Sequence, residues 1–295
     1  MRLLLLGRSG QVGWELERLL AALGEVIALD RDQCDLADAD AVASRVRQTR
    51  PGAIINAAAY TGVDRAESEP ELAYAVNATA PALLADEVRK LGAFLVHYST
   101  DYVFDGSKRT PYVETDPPNP LQVYGKSKLA GEAAIRASGA RHVILRASWV
   151  YAARGRNFLL TMLDKARKQE KLRVVADQRG VPTWARDIAQ LTAAMLRLAD
   201  RPEGTFHAAA AGEATWCEFA REIFRLARMP VQVEAIASAD YPGPARRPMS
   251  SVLDSSLLER STGIAAIGDW RERLSALDDL EVLRDLGGLG EHDRG

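Results

Sequence analysis

The chain has 295 residues, long enough for one large domain or a domain with a smaller companion. Its 38 Lys and Arg against 40 Asp and Glu leave a net charge of −2, with no cationic excess to track a nucleic-acid backbone. Cys34 and Cys217 stand far apart and His97, His142, His207 and His292 are scattered, so neither a disulfide framework nor a metal site is expected and the histidines read as structural or surface residues.

Arg2–Leu6 is a short apolar run stopped by Gly7, the pattern of a buried strand. It falls far short of the ~20 residues of a membrane span or the ~7–15 of a signal-peptide core, so a cytoplasmic protein without membrane contact is expected. Val12–Leu23 has helical apolar spacing, Glu25–Leu29 is a second strand closed by Asp30, and Ala37–Gln48 is helical. Ala53–Ile55 is a third strand ending at Asn56, and Glu71–Leu91 is a long helix that Pro81 should kink or divide. Phe94–Tyr98, the helix Val123–Ala137 and the strand His142–Leu145 complete the first half. Strands alternating with helices need crossover connections, so the fold class is α/β, a Rossmann-type doubly wound parallel sheet.

Beyond Trp149 the alternation loosens. Helices near Asn157–Lys168, at Ala185–Leu198 and at Thr215–Ala227, with a strand at Leu172–Val175, alternate with turn-rich stretches. We expect residues 1–150 to form the dinucleotide-binding domain, with some later segments returning to it. Residues 151–286 should form mainly a smaller α/β substrate-binding lobe, and the polar, Gly-rich tail 287–295 should be disordered.

Gly7-Arg8-Ser9-Gly10-Gln11-Val12-Gly13 lies between the first strand and the first helix. Gly7, Gly10 and Gly13 permit a tight turn and close approach to a pyrophosphate, while Gln11 and Val12 open a helix whose N–H groups attract phosphate. An adenine ribose would be held by Asp30 through its diol, whereas Arg31 suits a 2′-phosphate, so either NADPH or NADH can serve. Asp35 and Leu36 are placed to touch the adenine, or to act as a helix cap and a core leucine. Tyr124-Gly125-Lys126-Ser127-Lys128 puts Tyr124 and Lys128 on one helical face. A ketone reduction needs a proton donor, and a phenol of pKa ~10 donates better when a cation lowers that value. Thr100, closing the preceding strand, can orient the carbonyl.

These segments and their wording resemble the dTDP-4-dehydrorhamnose reductase family within the extended short-chain dehydrogenase/reductase superfamily. GRSGQVGWEL, NAAAYTGVDRAESEPELA, HYSTDYVFDG, VYGKSKLAGE, LRASWVYA, DQRGVPTWA and YPGPARRP appear in that family's order over residues 7 to 248. The resemblance implies a catalytic set of Thr100, Tyr124 and Lys128, with Asp101 close enough to influence proton transfer. It places Tyr102 and Asp101 in the sugar site, Ala59, Tyr60, Thr61 and Tyr98 beside the dinucleotide, and Trp149 against the deoxysugar nucleotide. Arg246 and Arg247, in a proline-rich loop, are candidates for a diphosphate clamp or an exposed surface pair. Asn157 is a candidate for sugar contact or a helix N-cap.

Some family members dimerise around magnesium held by acidic side chains. Glu15 could supply one ligand, but Arg186 stands where a second carboxylate is sought, so no magnesium site is expected. The implied reaction is reduction of the 4-keto group of dTDP-4-dehydro-β-L-rhamnose, a dTDP-4-keto-6-deoxyhexose, to dTDP-β-L-rhamnose by a monomer or homodimer. Other dTDP-4-keto sugars are alternative substrates. Similar chains also serve as non-catalytic regulatory subunits of methionine adenosyltransferase, a reading that an intact Thr–Tyr–Lys set disfavours.

Overall fold

The structure, a computed structural model, describes residues 1–241 and 243–277; the tail 287–295 lies outside the described residues. Five apolar segments form strands β1 (Arg2–Leu6), β2 (Glu25–Leu29), β3 (Ala53–Asn56), β4 (Phe94–Thr100) and β5 (His142–Ala147). They pair in parallel in the order β5, β4, β3, β1, β2, and Gly204–His207 adds a sixth strand beside β5. The order reverses between β1 and β3. That reversal opens a crevice at the carboxyl ends of those strands.

Both faces of the sheet are buried, as parallel strands with crossover helices require. Leu3, Leu5 and Ile55 pack with Leu16 and Leu20 of α1 (Gln11–Leu20) and with Ala189 and Met195 of the helix Ala185–Arg197. On the other face, Leu4, Leu6 and Ile54 meet Val42 and Val46 of α2 (Ala39–Thr49) and Leu84 and Val88 of the helix Ala80–Leu91. A third core gathers Phe219, Trp270, Leu159 and Leu163 around the helices Phe158–Ala166 and Trp216–Ala227. Beside it, Lys171–Val175 pairs in parallel with Gln232–Ile236. Residues beyond 150 therefore contribute to both layers.

The segment Glu71–Leu91, expected as a helix kinked or divided at Pro81, runs as Pro70–Tyr74, a π turn at Ala75–Thr79, and Ala80–Leu91. Pro81 has no N–H to offer the Asn77 carbonyl four residues earlier. Gly131 of the helix Val123–Ala137 packs against that carbonyl, where a Cβ would lie 2.1 Å from the oxygen.

Candidate active site

The chain leaves β1 through Gly7 at φ +84°, a conformation that favours glycine. A Cβ there would lie 2.7 Å from Ala58 N, and one on Gly13 would lie 2.0 Å from the Gly7 carbonyl oxygen. Gly10 precedes α1 without a side-chain cap, leaving the first N–H groups and the positive end of the helix dipole to an anion. Gly7, Gly10, Gln11 and Val12 line a cavity of about 500 Å³; Gly13 lies behind it and serves the packing of turn on helix.

Asp30, Arg31, Asp35 and Leu36 line the same cavity. Asp30 Oδ1 is buried and has no hydrogen-bond partner, an acceptor that suits a ribose hydroxyl. Arg31 Nε donates to Asp35 Oδ2 at 3.2 Å, and Asp35 Oδ1 accepts from Ala37 N–H at 2.9 Å. The Ala37 N–H holds the Asp35 carboxyl below its ordinary pKa against the opposing effect of burial, with Arg31 adding to the lowering. Asp35 thus fixes its own turn and occupies the arginine expected to meet a 2′-phosphate.

Ala59, Tyr60 and Thr61 also line the cavity, as does Tyr98. Buried Asn77 clamps this loop: it accepts from Tyr60 N–H at 2.9 Å and donates to the Tyr60 carbonyl and to Ser127 Oγ, both at 3.0 Å. The cradle therefore fits a dinucleotide, with anion-seeking N–H groups at one point and an unpartnered carboxylate oxygen at another.

Tyr124 and Lys128 project into the cavity from the helix Val123–Ala137. Thr100, last residue of β4, donates to Asp101 Oδ1 at 3.0 Å and accepts from Tyr102 N–H at 3.1 Å, and its hydroxyl acts to lower the Tyr124 phenol. Asp101 Oδ2 accepts from Ser148 at 3.0 Å and from Ser251 at 2.5 Å. Burial raises the Asp101 carboxyl to about 6 against the hydrogen bonds from Ser251, Ser148 and Thr100. Burial also raises the Tyr124 phenol to about 12 and lowers the Lys128 ammonium to about 8.

The expected lowering of the tyrosine by its lysine does not appear in this state. Lys128 Nζ is drawn to β4, donating to the Tyr98 carbonyl at 2.6 Å and to His97 Nε2 at 3.3 Å, and burial of the phenol prevails. At neutral pH Tyr124 is consequently protonated, the form a carbonyl reduction consumes.

Tyr102 meets the Tyr124 ring edge to face with centroids 6.2 Å apart. Arg247 donates to Asp64 Oδ2 at 2.6 Å, and its charge bears on Tyr102, whereas Arg246 is exposed. Only Arg247 thus reaches the catalytic neighbourhood. Trp149 does not line the 500 Å³ cavity. It adopts φ +43° and stacks on Trp216, centroids 3.4 Å apart and planes 5° apart. A protein ring thus covers one face of the indole expected to meet the deoxysugar nucleotide.

The structure gives Asn157 the capping role. Its Oδ1 accepts from Leu160 N–H at 3.0 Å, while Nδ2 donates to Gln11 Oε1 and the Ala152 carbonyl, both at 2.9 Å. Both amide hydrogens are thus engaged within the protein. Glu15 Oε2 accepts from Arg186 Nε at 3.3 Å, and a guanidinium in that place does not fit a divalent cation. Among the described residues, no group of three or more His, Cys, Asp or Glu side chains could hold a metal ion, and no helix is long and apolar enough to cross a membrane.

Sequence reasoning missed Asn77, Ser148 and Ser251, and assigned His97 only a structural or surface role. Ser148 lies within the LRASWVYA motif, which offered one clue. Lone serines and asparagines otherwise carry no spacing signal.

A sheet of this order, with a Tyr–x–x–x–Lys helix laid beside β4 and a dinucleotide-shaped cavity at its carboxyl end, defines an extended short-chain dehydrogenase/reductase. Within that class the chain belongs to the dTDP-4-dehydrorhamnose reductase family: the family model described as RmlD substrate binding domain matches residues 1–281. A dTDP-4-dehydrorhamnose reductase of Burkholderia thailandensis is 46% identical over 286 residues, 92% of this chain and 96% of that protein. A Bacillus anthracis dTDP-4-dehydrorhamnose reductase, solved in complex with NADP, superposes with a TM-score of 0.90 at 34% identity, covering 95% of this chain and 99% of that one. A probable dTDP-4,6-dihydroxy-2-methyloxan-3-one 4-ketoreductase of Streptomyces antibioticus is 42% identical, covering 93% of each chain.

Proposed function

We propose that this chain reduces the 4-keto group of dTDP-4-dehydro-β-L-rhamnose to dTDP-β-L-rhamnose, the last step of dTDP-L-rhamnose biosynthesis, with NADPH or alternatively NADH. The observation that carries the reading is that Tyr124 and Lys128, four residues apart on one helix, line one cavity with the glycine turn that follows β1. A bound dihydronicotinamide supplies the hydride. Tyr124 gives its proton to the carbonyl oxygen as charge develops there, and Thr100 holds that oxygen in line. Lys128 stabilises the phenolate left behind and would hold the nicotinamide ribose. Gly7, Gly10, Gln11 and Val12 would seat the pyrophosphate, with Asp30 on the adenine ribose and Ala59, Tyr60, Thr61 and Tyr98 along the wall. Asp101, Tyr102, Trp149 and Arg247 would form the sugar-nucleotide side.

All these groups lie on one chain, so a cytoplasmic monomer or homodimer suffices without a bridging metal. The Streptomyces relative favours a second reading that keeps the chemistry and changes the sugar. The Thr–Tyr–Lys set is intact, which counts against a non-catalytic regulatory subunit.

The test is NADPH and NADH oxidation followed by absorbance, with enzymatically generated dTDP-4-dehydro-β-L-rhamnose and a panel of other 4-keto sugars. Tyr124→Phe should retain cofactor binding and lose at least ~100-fold in kcat. Full turnover in that variant would overturn the assignment.

A further inference from the structure

His97 sits inside β4, 1% exposed, and β3–β4 register sets it directly beside Asn56. Its Nε2 lies 3.3 Å from Lys128 Nζ and its Nδ1 lies 3.2 Å from Asn56 Nδ2. Burial first, and then the neighbouring ammonium, keep the imidazole well below its ordinary pKa, so the ring is neutral. A neutral imidazole has one N–H and one lone pair. Facing an ammonium, Nε2 must be the lone-pair nitrogen, which puts the ring proton on Nδ1.

That proton needs an acceptor. Asn56 Oδ1 is buried without a partner, and a half-turn of its amide about Cβ–Cγ brings this oxygen to Nδ1. The pairing then runs without conflict from Asn56 Oδ1 through the imidazole to Lys128. The ammonium has three hydrogens: one goes to the Tyr98 carbonyl at 2.6 Å, one to His97, and the third remains for the cavity that Lys128 lines. His97 itself does not line that cavity, so it acts only through the lysine.

We propose that His97 is a positioning residue for Lys128, accepting one ammonium hydrogen at Nε2 from an Nδ1–H tautomer and so aiming the remaining N–H at cofactor and tyrosine. The proposal deepens the reductase reading and rests on it for its kinetic consequence. The other groups bearing on the pair are Tyr124 and Glu132 from the lysine's own helix, Tyr98 from β4, and His142 from β5. Glu132 is neutralised by Arg146 at 2.7 Å and Arg136 at 3.0 Å.

The sign of the effect follows. An acceptor on the ammonium favours its charged form, so removing that acceptor lets Lys128 lose its proton at lower pH. His97→Asn keeps a polar group near Asn56 but is too short to reach Nζ; His97→Gln offers Nζ an amide oxygen. The basic limb of kcat should fall by about one pH unit in His97→Asn and stay within about 0.3 unit of wild type in His97→Gln. Identical limbs in the two variants, or an unmoved limb in His97→Asn, would overturn the proposal.

NMR of ¹⁵N-histidine-labelled wild-type protein reads the tautomer without turnover. Protonation of His97 at Nδ1 is expected, and protonation at Nε2 instead overturns the proposal. A wild-type protein inert toward every keto sugar would sink the reductase reading while leaving the tautomer result to judge His97.

Discussion

Ser251 and Asp101 are separated by 150 residues, yet the serine hydroxyl donates to the aspartate Oδ2 at 2.5 Å inside the protein. Ser148, just past β5, donates to the same oxygen at 3.0 Å. The segment following the Arg246–Arg247 loop is thereby fastened to the residue beside Thr100. Loop placement and the charge state of the catalytic neighbourhood are one physical arrangement.

That arrangement carries a stability cost that can be measured. Burial raises Asp101 to about 6 from an ordinary carboxyl value of ~3.9, so the folded protein takes up this proton more readily than the unfolded chain. The contribution to stability therefore falls as pH rises from ~4 to ~6 and is constant above, amounting to up to ~3 kcal/mol. Asp101→Asn abolishes the charge, and the serine hydroxyls can rotate to accept from the new amide. We expect Asp101→Asn to melt above wild type at pH 8, with the difference shrinking toward pH 4, while kcat drops ~10-fold or more. Equal melting temperatures at pH 8 would refute the buried-carboxylate account.

Ser251→Ala probes the same group from the other side. Loss of one donor to the carboxylate should raise the Asp101 pKa further, because hydrogen bonds to the charged form lower it. The acid limb of kcat/KM should rise by ~0.5–1 pH unit, with little change at pH 8. A pH–rate profile superimposable on wild type would separate Asp101 from the chemistry.

On the proposed reading, cofactor choice turns on Arg31 and its partner. The guanidinium is tied to Asp35 at 3.2 Å, and Asp30 presents an unpartnered oxygen to the same cavity. Asp35→Ala should free the arginine and tighten NADPH relative to NADH by ~5-fold. Asp30→Ala should weaken NADH by ~10-fold and NADPH less, since the lost ribose acceptor is offset by relief of repulsion toward a 2′-phosphate. Fluorescence titration of both cofactors measures the ratios. An unchanged ratio in both variants would remove these residues from cofactor selection.

How much of this was legible in the sequence depended on the range of the interaction. Strands β1 to β5 announce themselves through local apolar runs, and the helix expected over Val123–Ala137 has those bounds. Gly204–His207 was not anticipated: four residues beginning with a glycine at φ +116° carry too short a pattern, although they form the sixth strand. Pro81 signalled an interruption, but the π turn it accompanies depends on packing with Gly131, some fifty positions later. That Gly7, Gly10 and Asp30 would share one cavity was readable because the glycine turn and the carboxylate each follow a strand end. Ser148 and Ser251 were not, since their meaning arises only when distant chain segments meet at Asp101.

Trp149 shows the same limit, and Gly180 makes it testable. A Cβ on Gly180 would lie 2.3 Å from Trp149 Cε2 and 2.4 Å from Nε1, distances no side chain tolerates without moving the indole. The stack with Trp216 confines that movement on one face of the ring. Gly180→Ala should therefore displace Trp149 rather than be absorbed, destabilising the protein by ~1–3 kcal/mol through overpacking. The cavity proposed for the dinucleotide does not include Trp149, so the dissociation constant for NADPH should stay within about twofold of wild type. If Trp149 contacts the nucleotide sugar, KM for that substrate should rise by ~10-fold in the same variant. Steady-state kinetics beside a cofactor titration distinguishes the two effects. Loss of NADPH affinity with an unchanged substrate KM would move Trp149 to the cofactor side of the site.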